Sequence, residues 1–437
     1  MKKTIATLFI SSVLLALIGT PLLGQNLEKE KTYTHTIDAA AVTRLDIIHQ
    51  RGPLHVQKST DGQIHLDLLV RVSGKYEEDI NLLFDAIEIE EEKKGSEVKV
   101  TSSSQITSWI QTLGKTRIKL KNGAEAKDIK NLEMILTVKT PAIENVGLKN
   151  KYEKIEIEED FSNNLEVDLY SGELFTKNIG GSLILNSKYS TLQFGNFGRG
   201  VFDLYECKAT GGAGANLDIH SKYSTVRLGK CQTLTLDSYE DKYTIDDIVQ
   251  GLNISDKYSH FKIENIGDAQ LDLYETEFEI NTGKNLGVNC KYGTLRSKKL
   301  NRLELNESYE TDFTIDQLDE FIAKNDKYGS FVIDHLTRRF MLKGYESSVD
   351  VREISSNLTE INIESKYDRM HFGIPVGLKY SLDAEMKYGK VTYEESLFDK
   401  TDRREKGDEL IIKAGVDDPS RKAKVFIRAY ETDFTLK

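Results

Sequence analysis

The stretches LILNSKYSTLQF (183–194) and AQLDLYETEFEI (269–280) share the pattern that decides the fold. If the first residue of each stretch is place 0, apolar or small residues stand at places 0, 2, 4, 9 and 11. An alternation with a period of two is typical of a β-strand. The parity of these residues changes between places 4 and 9, so the chain must bend there. The pattern therefore predicts two short strands and a bend.

The same pattern recurs along the chain with a step of 17 or 18 residues. Its starting points are 183, 200, 217, 234, 252, 269, 286, 304, 322 and 340. Asn and Gly, which tolerate positive φ, close coils in segments such as NIGG (178–181). No apolar series at i, i+3, i+4 and i+7 persists through the units, and a propeller blade needs roughly 40 residues. We therefore expect an all-β fold, a single-stranded right-handed parallel β-solenoid with 17–18 residues per coil.

Two tyrosine phrases alternate in successive coils. Places 5 and 6 hold Lys-Tyr in one coil, as in 188–189, and Tyr-Glu in the next, as in 205–206. Equal places of neighbouring coils stack about 4.8 Å apart, so an unbroken lysine column would cost about 1 kcal/mol per pair even at the dielectric of water. Alternation doubles that separation to about a Debye length. We expect a checkerboard in which each lysine lies near a glutamate and against a tyrosine ring.

The tyrosine columns are the candidate binding site. Aromatic rings on a rigid face offer contact area to a sugar or a protein at low entropic cost. A structural role stays open, because tyrosine is a good strand residue that shields lysine stems. The candidate residues are Tyr189, Tyr205, Tyr223, Tyr239, Tyr258, Tyr274 and Tyr292.

The sequence contains no motif for catalysis or metal binding. The eight histidines are scattered, and the glycine-rich TGGAGAN (210–216) lacks the following Lys-Ser/Thr of a phosphate loop. We expect a protein that is not an enzyme, with no catalytic residue, metal site or cofactor. The alternative is a polysaccharide-active β-helix enzyme using stacked carboxylates at place 3, such as Asp203, Asp237 and Asp272. The short, uniform coils lack the loops that build a catalytic cleft.

Charge and cysteine content narrow the class of protein further. Seventy acidic residues against 59 basic ones give a net charge of −11, which argues against nucleic acid as a partner. Three cysteines, Cys207, Cys231 and Cys290, permit at most one disulfide. We expect all three to be buried or half-buried thiols.

Residues 1–24 have the features of a secretory signal peptide. Lys2 and Lys3 precede an apolar run, small residues follow it, and cleavage near Gly24 is expected. No later segment approaches the ~18 apolar residues of a membrane-spanning helix. The sequence predicts an exported protein that is periplasmic, on the outer surface or extracellular, without a stable membrane span after cleavage.

The rest of the chain divides into four predicted parts. Residues 25–145 form a β-rich N-terminal capping region, in which 45–57 follows the coil pattern and 77–95 is the best candidate for a helix. The solenoid repeat occupies 146–396, and 397–424 is expected to be an exposed loop. Residues 425–437 are expected to form a final capping coil that covers the end of the stack, and their YETDFT (430–435) repeats residues 309–314.

Together with the signal peptide and the short coils, the phrase TVKTPAIENVGLKNKYEKIEIEE (137–159) resembles a bacterial family. It is the "putative adhesin" β-solenoid family of secreted proteins, related to the auto-transporter adhesin head domains of Bacteroidetes. The resemblance covers roughly residues 40–437. It implies a secreted or surface-associated structural or binding protein whose partner is a protein or glycan at the cell surface. The family supplies no agreed active site.

Overall fold

The chain is all-β and forms two compact units. The computed structural model describes residues 26–112 and 115–437, and the predicted signal peptide (1–24) lies outside the described residues. The first unit ends at Ala213 and the second begins at Gly214. Strands make up 71% of the described residues, and their coils, about 13 in all, are those of a parallel β-solenoid. The β-solenoid expected from the sequence is confirmed.

The first unit contains one helix, α1 (Glu77–Asp85), and eighteen strands among its described residues. The strands are β1 (Leu27–Asp38), β2 (Arg44–His49), β3 (Leu54–Lys58), β4 (Gln63–Gly74), β5 (Ile87–Lys94), β6 (Glu97–Ser104), β7 (Ile106–Thr112), β8 (Lys115–Leu120), β9 (Glu125–Lys127), β10 (Ile129–Thr140), β11 (Asn145–Lys151), β12 (Lys154–Ile157), β13 (Asn164–Tyr170), β14 (Glu173–Thr176), β15 (Leu183–Lys188), β16 (Thr191–Phe194), β17 (Gly200–Tyr205) and β18 (Lys208–Gly211).

Antiparallel strands dominate the N-terminal part of this unit. Strand β4 pairs with β1 and β10, β5 pairs with β6, and β7, β8 and β9 form a small separate sheet. The helix predicted over 77–95 is too long, because α1 ends at Asp85 and the following IEIEEEKK becomes β5. Ile87 and Ile89 alternate with glutamates in this segment, and that period of two suits a strand.

A first solenoid coil lies within the N-terminal region, as the sequence pattern over 45–57 predicts. Strand β2 pairs in parallel with β11, so that Leu45 lies opposite Val146. Strand β3 pairs in parallel with β12, so that Leu54 lies opposite Ile155. Strand β6 pairs with the other edge of β2, so this edge is not left open.

The later coils of the first unit stack equal places on equal places. Strands β11, β13, β15 and β17 form one parallel series, and β12, β14, β16 and β18 form a second. Leu165 lies opposite Leu183, which in turn lies opposite Gly200. The predicted starting points 183 and 200 therefore fall in the same column.

The second unit contains eighteen strands and a short 3-10 helix (Glu395–Leu397) among its described residues. The strands are β19 (Gly214–Lys222), β20 (Thr225–Leu228), β21 (Cys231–Tyr239), β22 (Lys242–Lys257), β23 (His260–Tyr274), β24 (Glu277–Lys291), β25 (Thr294–Tyr309), β26 (Asp312–Lys327), β27 (Ser330–Tyr345), β28 (Ser348–Ile354), β29 (Glu360–Lys366), β30 (Arg369–Phe372), β31 (Tyr380–Lys387), β32 (Lys390–Thr392), β33 (Thr401–Lys406), β34 (Glu409–Ala414), β35 (Ala423–Tyr430) and β36 (Asp433–Leu436).

The predicted frame holds through most of the second unit and slips by one residue at two coils. Leu217, Leu234, Leu252, Ala269 and Leu286 lie opposite one another in turn. The next two coils begin at 303 and 321 and not at the predicted 304 and 322. A register shift after residue 288 adds one residue to the coil that follows, and this bulge returns the later places to the predicted frame.

Most coils also bury residues at two places that the sequence pattern did not reveal. Place 14 holds a single inward apolar residue between two bends, as in Ile248, Ile266 and Leu300. Place 7 holds a small or polar inward residue, as in Asp241 and Ser259. The core is therefore lined by three runs of side chains per coil and not by two.

The C-terminal coil does not cover the end of the stack, so that prediction is wrong. Strand β35 pairs in parallel with β29 on one side and with β31 on the other. Strand β36 lies between β30 and β32 in the same way. Residues 423–436 are therefore inserted between two coils that precede them in the sequence.

The segment predicted as an exposed loop (397–424) contains a β-hairpin. Strands β33 and β34 pair antiparallel, and β34 also pairs antiparallel with β31. Strand β33 is fully exposed, which explains its charged sequence TDRREK, whereas Leu410, Ile412 and Ala414 of β34 are buried. The hairpin covers the outer edge of β31 and ends in an exposed, charged edge strand, which disfavours edge-to-edge aggregation.

Candidate functional site: the tyrosine ladder

From Tyr152 onward, the residue at place 6 of each coil adopts a left-handed backbone conformation. Its φ lies between 48° and 69°, although the residue is Tyr, Glu or, at position 171, Ser. This region costs about 1 kcal/mol for residues other than glycine. The neighbouring coil holds the conformation, because the N–H of Tyr258 donates to the carbonyl oxygen of Tyr274 at 2.9 Å, and equivalent bonds recur along both units. Places 5 and 6 therefore project outwards, and place 7 turns inwards.

In the first unit, four tyrosines at these places form a ladder of ring contacts. Tyr152, Tyr170, Tyr189 and Tyr205 follow one another with ring centroids 5.5–5.6 Å apart. The planes of neighbouring rings lie 77–87° apart. This edge-to-face arrangement is a favoured geometry for aromatic pairs.

In the second unit the ladder has eleven tyrosines. Ring centroids lie 5.3–5.8 Å apart, and the interplanar angles run from 75° to 88°. In spatial order the rings are Tyr223, Tyr239, Tyr258, Tyr274, Tyr292, Tyr309, Tyr328, Tyr345, Tyr367, Tyr430 and Tyr388.

The inserted C-terminal coil preserves the alternation of the two phrases. Along the sequence, Tyr367 and Tyr388 both belong to Lys-Tyr phrases and follow one another directly. In space, Tyr430 of the Tyr-Glu phrase lies between them, with ring centroids at 5.6 Å from Tyr367 and 5.5 Å from Tyr388. The stack therefore alternates Lys-Tyr and Tyr-Glu coils to its end, which separates like charges.

The tyrosines at the two places differ in exposure. Those at place 6 of the second unit, such as Tyr258, are 39–50% exposed, and those at place 5 are less so. A hydrogen bond to Glu240 is the main cause that raises the pKa of Tyr239, and Glu346 acts in the same way on Tyr345. Each Tyr-Glu phrase thus presents a neutral phenol beside a carboxylate.

The predicted contact of each lysine with a tyrosine ring is largely replaced by contact between rings. Lys387 lies over the ring of Tyr388, with its Nζ 5.3 Å from the centroid. Elsewhere the edge of the next tyrosine meets the ring, because the two tyrosine places in adjacent coils are close enough for direct contact. Within each unit the checkerboard is therefore a zigzag ladder of rings, flanked by lysines on one side and glutamates on the other.

Beneath the ladder of the second unit lies a buried network of carboxylates and hydroxyls. Ser347 Oγ donates to Asp326 Oδ2 at 2.6 Å, and the Ser347 N–H donates to Asp368 Oδ1 at 2.7 Å. Burial raises the pKa of Asp368 to about 7 and that of Asp241 to about 6. Burial also raises the pKa of Asp326. These side chains tie neighbouring coils together from the inside.

A shallow axial groove runs beside the ladder in the second unit. It has a volume of about 330 Å³ and crosses four coils. Place 6 forms one wall and place 8 forms the other, while the inward turn of place 7 forms the floor. The outer walls consist of Tyr223, Glu240, Tyr258, Glu275, Thr225, Lys242, His260 and Glu277.

All seven tyrosines predicted as candidate site residues lie in the ladder. Tyr189 and Tyr205 belong to the first unit and the other five to the second. Sequence reasoning missed the second wall, with Lys242 and His260, and the buried Asp241 below it. The apolar alternation gave no signal there, because places 7 and 8 hold small or polar residues at a bend.

The place-3 aspartates of the enzyme alternative lie on exposed strand faces. Asp203 belongs to the first unit, and Asp237 and Asp272 belong to the second. Asp237 has a 71% exposed side chain with His220 Nδ1 at 3.7 Å. Within residues 26–112 and 115–437, no group of three or more His, Cys, Asp or Glu is placed to hold a metal ion.

The three cysteines are buried thiols, as the sequence predicts. Burial raises the pKa of Cys231 to about 11 and that of Cys290 to about 12. These thiols are therefore poor nucleophiles at neutral pH. In the described part of the chain, no helix is both long and apolar enough to cross a membrane.

The parallel pairing of successive coils defines this protein as a β-solenoid. No family model and no curated protein matches the chain. Solved structures do match it, and they include proteins named as putative adhesins, the family that the sequence resembles.

A putative cell adhesion protein from Clostridium sporogenes is 9% identical, with 94% of this chain and 99% of that chain covered and a TM-score of 0.18. A putative adhesin from Parabacteroides merdae is 11% identical, with 68% of this chain and 94% of that chain covered and a TM-score of 0.27. A putative lipid binding protein from Parabacteroides distasonis is 11% identical, with 68% of this chain and 96% of that chain covered and a TM-score of 0.23. The fold assignment rests on the strand register of the coils.

Proposed function

We propose that this chain is an exported, non-catalytic binding protein of the periplasm or cell surface, and that the tyrosine ladder is its contact face. The observation that carries the proposal is the line of half-exposed rings held at left-handed backbone positions. Glycine or asparagine would adopt this conformation at lower cost. Strained positions occupied by large side chains are typical of functional surfaces.

The physical chemistry of the ladder suits binding of an extended partner. Each ring is fixed by edge-to-face contacts with its neighbours, so little side-chain entropy remains to be lost on binding. Tyrosine supplies a large contact area together with a hydroxyl group. The flanking lysines and glutamates add charged groups of both signs, which favours a specific partner over indiscriminate adsorption.

The test compares the full chain with the triple variant Y223S/Y239S/Y258S on a glycan array and in pull-down of cell-surface proteins. Serine fits the left-handed turn, because Ser171 occupies place 6 with a φ of 53°. We expect the wild type to retain a ligand and the variant to lose it, with a larger effect on binding than on the melting temperature. A matched control, K262S/E279S/R296S, removes exposed or partly exposed side chains at place 10 of the same unit.

Three results would contradict the proposal. Equal binding by the wild type and the tyrosine variant would show that the ladder is not the contact face. Release of soluble sugar from a polysaccharide by the wild type would show that the protein is catalytic. Recovery of the full chain in the cytoplasmic fraction of the cells that express it naturally would show that it is not exported.

A further inference from the structure

The groove beside the ladder has a charge pattern of its own. Glu240 and Glu275 stand on one wall, and Glu277 stands on the other. Lys242 is the one lysine of this lining, and His260 is held by Glu277, with its Nδ1 2.9 Å from Oε2. Acidic groups therefore outnumber basic ones, and the groove favours a ligand with positive charges.

The groove also repeats along the solenoid axis with a defined period. Tyr223 and Tyr258 occupy place 6 two coils apart, and so do Glu240 and Glu275. Two coils span about 9.4–9.8 Å at the usual spacing of neighbouring strands. A polyproline II helix has three residues per turn and rises about 3.1 Å per residue, which gives about 9.3 Å per turn. One turn of such a helix therefore matches one repeat of the groove.

Backbone groups that line the groove are already paired with one another, which excludes recognition by strand addition. The N–H of Lys242 already donates to the carbonyl oxygen of Ser224 at 2.9 Å, and the N–H of His260 donates to that of Asp241 at 2.9 Å. An added β-strand would need free backbone groups at an edge. A polyproline II helix needs none, since its backbone stays solvated and its side chains dock against aromatic rings.

We propose that this groove binds a basic, proline-rich segment in the polyproline II conformation, lying along the solenoid axis. Prolines at every third residue would contact Tyr223 and Tyr258, and basic residues at every third residue would face Glu240 and Glu275. The proposal rests on the proposed function of the ladder as a contact face and names the partner's chemistry.

The experiment titrates the full chain into a fluorescently labelled peptide of three Pro-Pro-Lys repeats and follows the fluorescence anisotropy. Three control peptides accompany it: Pro-Pro-Glu repeats, Gly-Ser-Lys repeats, and a peptide of the same composition with its lysines two and four residues apart. We expect the Pro-Pro-Lys peptide to bind at least roughly tenfold more tightly than each control, and to weaken as salt is added.

Two variants locate the site. Tyr258→Ser should weaken binding by about tenfold or more, as is typical of a buried aromatic anchor at an interface. Glu240→Gln should weaken it by roughly two- to fivefold at low salt, and the loss should shrink at high salt. Glu279→Gln is the matched control, since Glu279 is partly exposed on the same unit but lies outside the groove.

The outcomes separate this proposal from the proposed function. Equal binding of the respaced peptide, or unchanged binding by Glu240→Gln at low salt, overturns the polyproline assignment. Binding of an oligosaccharide to the ladder with no binding of the peptide overturns it too, and leaves the ladder as the contact face. Absence of peptide binding together with unchanged ligand capture by Y223S/Y239S/Y258S overturns both.

Discussion

Replacement of Asp368 by asparagine should change how the stability of the second unit depends on pH. Asp368 is 3% exposed, and burial raises the pKa of its carboxyl group from 3.8 to about 7. Between these two values the folded chain keeps a proton that the unfolded chain has released. The free energy of unfolding contributed by this group therefore falls as the pH rises from about 4 to about 7, and stays level above that range.

The expected size follows from these two pKa values. Raising the pH from about 5 to about 8 should remove roughly 2 to 3 kcal/mol of stability through this carboxyl group, because one pKa unit corresponds to about 1.4 kcal/mol. Asparagine keeps an oxygen that accepts from the Ser347 N–H, a bond of 2.7 Å in the wild type, and it carries no ionisable proton. The variant should thus equal or exceed the wild type in stability at high pH.

Urea denaturation at both pH values, followed by circular dichroism, measures the effect. Asp241 and Asp326 also have raised pKa values, so the wild type and the variant will share part of the pH dependence. The difference between their slopes isolates Asp368. Asp312→Asn, at an exposed position, is the control and should leave the slope unchanged. Parallel slopes for wild type and Asp368→Asn would refute the reasoning.

Two further predictions concern the ladder itself. The double variant Y430K/E431Y turns the Tyr-Glu phrase into a Lys-Tyr phrase. It should have a lower melting temperature than the wild type, because it creates two contacts between coils that carry the same phrase. Addition of K387Y/Y388E should partly restore the melting temperature, since only one contact between like phrases then remains. A still lower melting temperature in the combined variant would refute the argument that the phrases must alternate. Glu240→Gln should lower the pKa of Tyr239, because the hydrogen bond to Glu240 is the main cause that raises it; an unchanged pKa in carbon-13 tyrosine NMR titration would refute this.

The period of the coil could be predicted because its inward residues are apolar and alternate. Places 0, 2, 4, 9 and 11 lie in straight runs, where a period of two is visible. Place 14 was missed because a single inward residue between two bends shows no period. Place 7 was missed because small or polar residues, such as Ser259 and Asp241, are buried there.

The order of the last coils could not be derived from apolar periodicity, since every coil has the same pattern. The charge phrases did carry a signal. Two Lys-Tyr phrases, at Tyr367 and Tyr388, follow one another, which breaks the alternation that stacking requires. The missing Tyr-Glu phrase stands at Tyr430, and the structure inserts it between them. A rule that like phrases do not stack would have placed the C-terminal coil correctly.

The hairpin over 401–414 was missed for a different reason. Its exposed strand β33 consists of charged and polar residues that show no apolar pattern. The buried alternation of Leu410, Ile412 and Ala414 begins only after the charged stretch ends. An edge strand that must resist pairing with other chains is charged by necessity, so hydrophobic patterning underestimates strands at this position.

The strained turn bears on whether the ladder is only structural. Position 171 shows that the backbone adopts the left-handed turn with serine, so neither Tyr nor Glu is required for the turn itself. The tyrosines at place 6 therefore contribute through their contacts, which include the place-5 rings on either side and the groove wall. If the tyrosines served only ring contacts, all those in the ladder of the second unit would have the same role. A ligand would use only the part of the ladder that borders the groove, so stability and binding should respond to different tyrosines: substitutions at Tyr328 should alter stability alone, and those at Tyr258 should alter both.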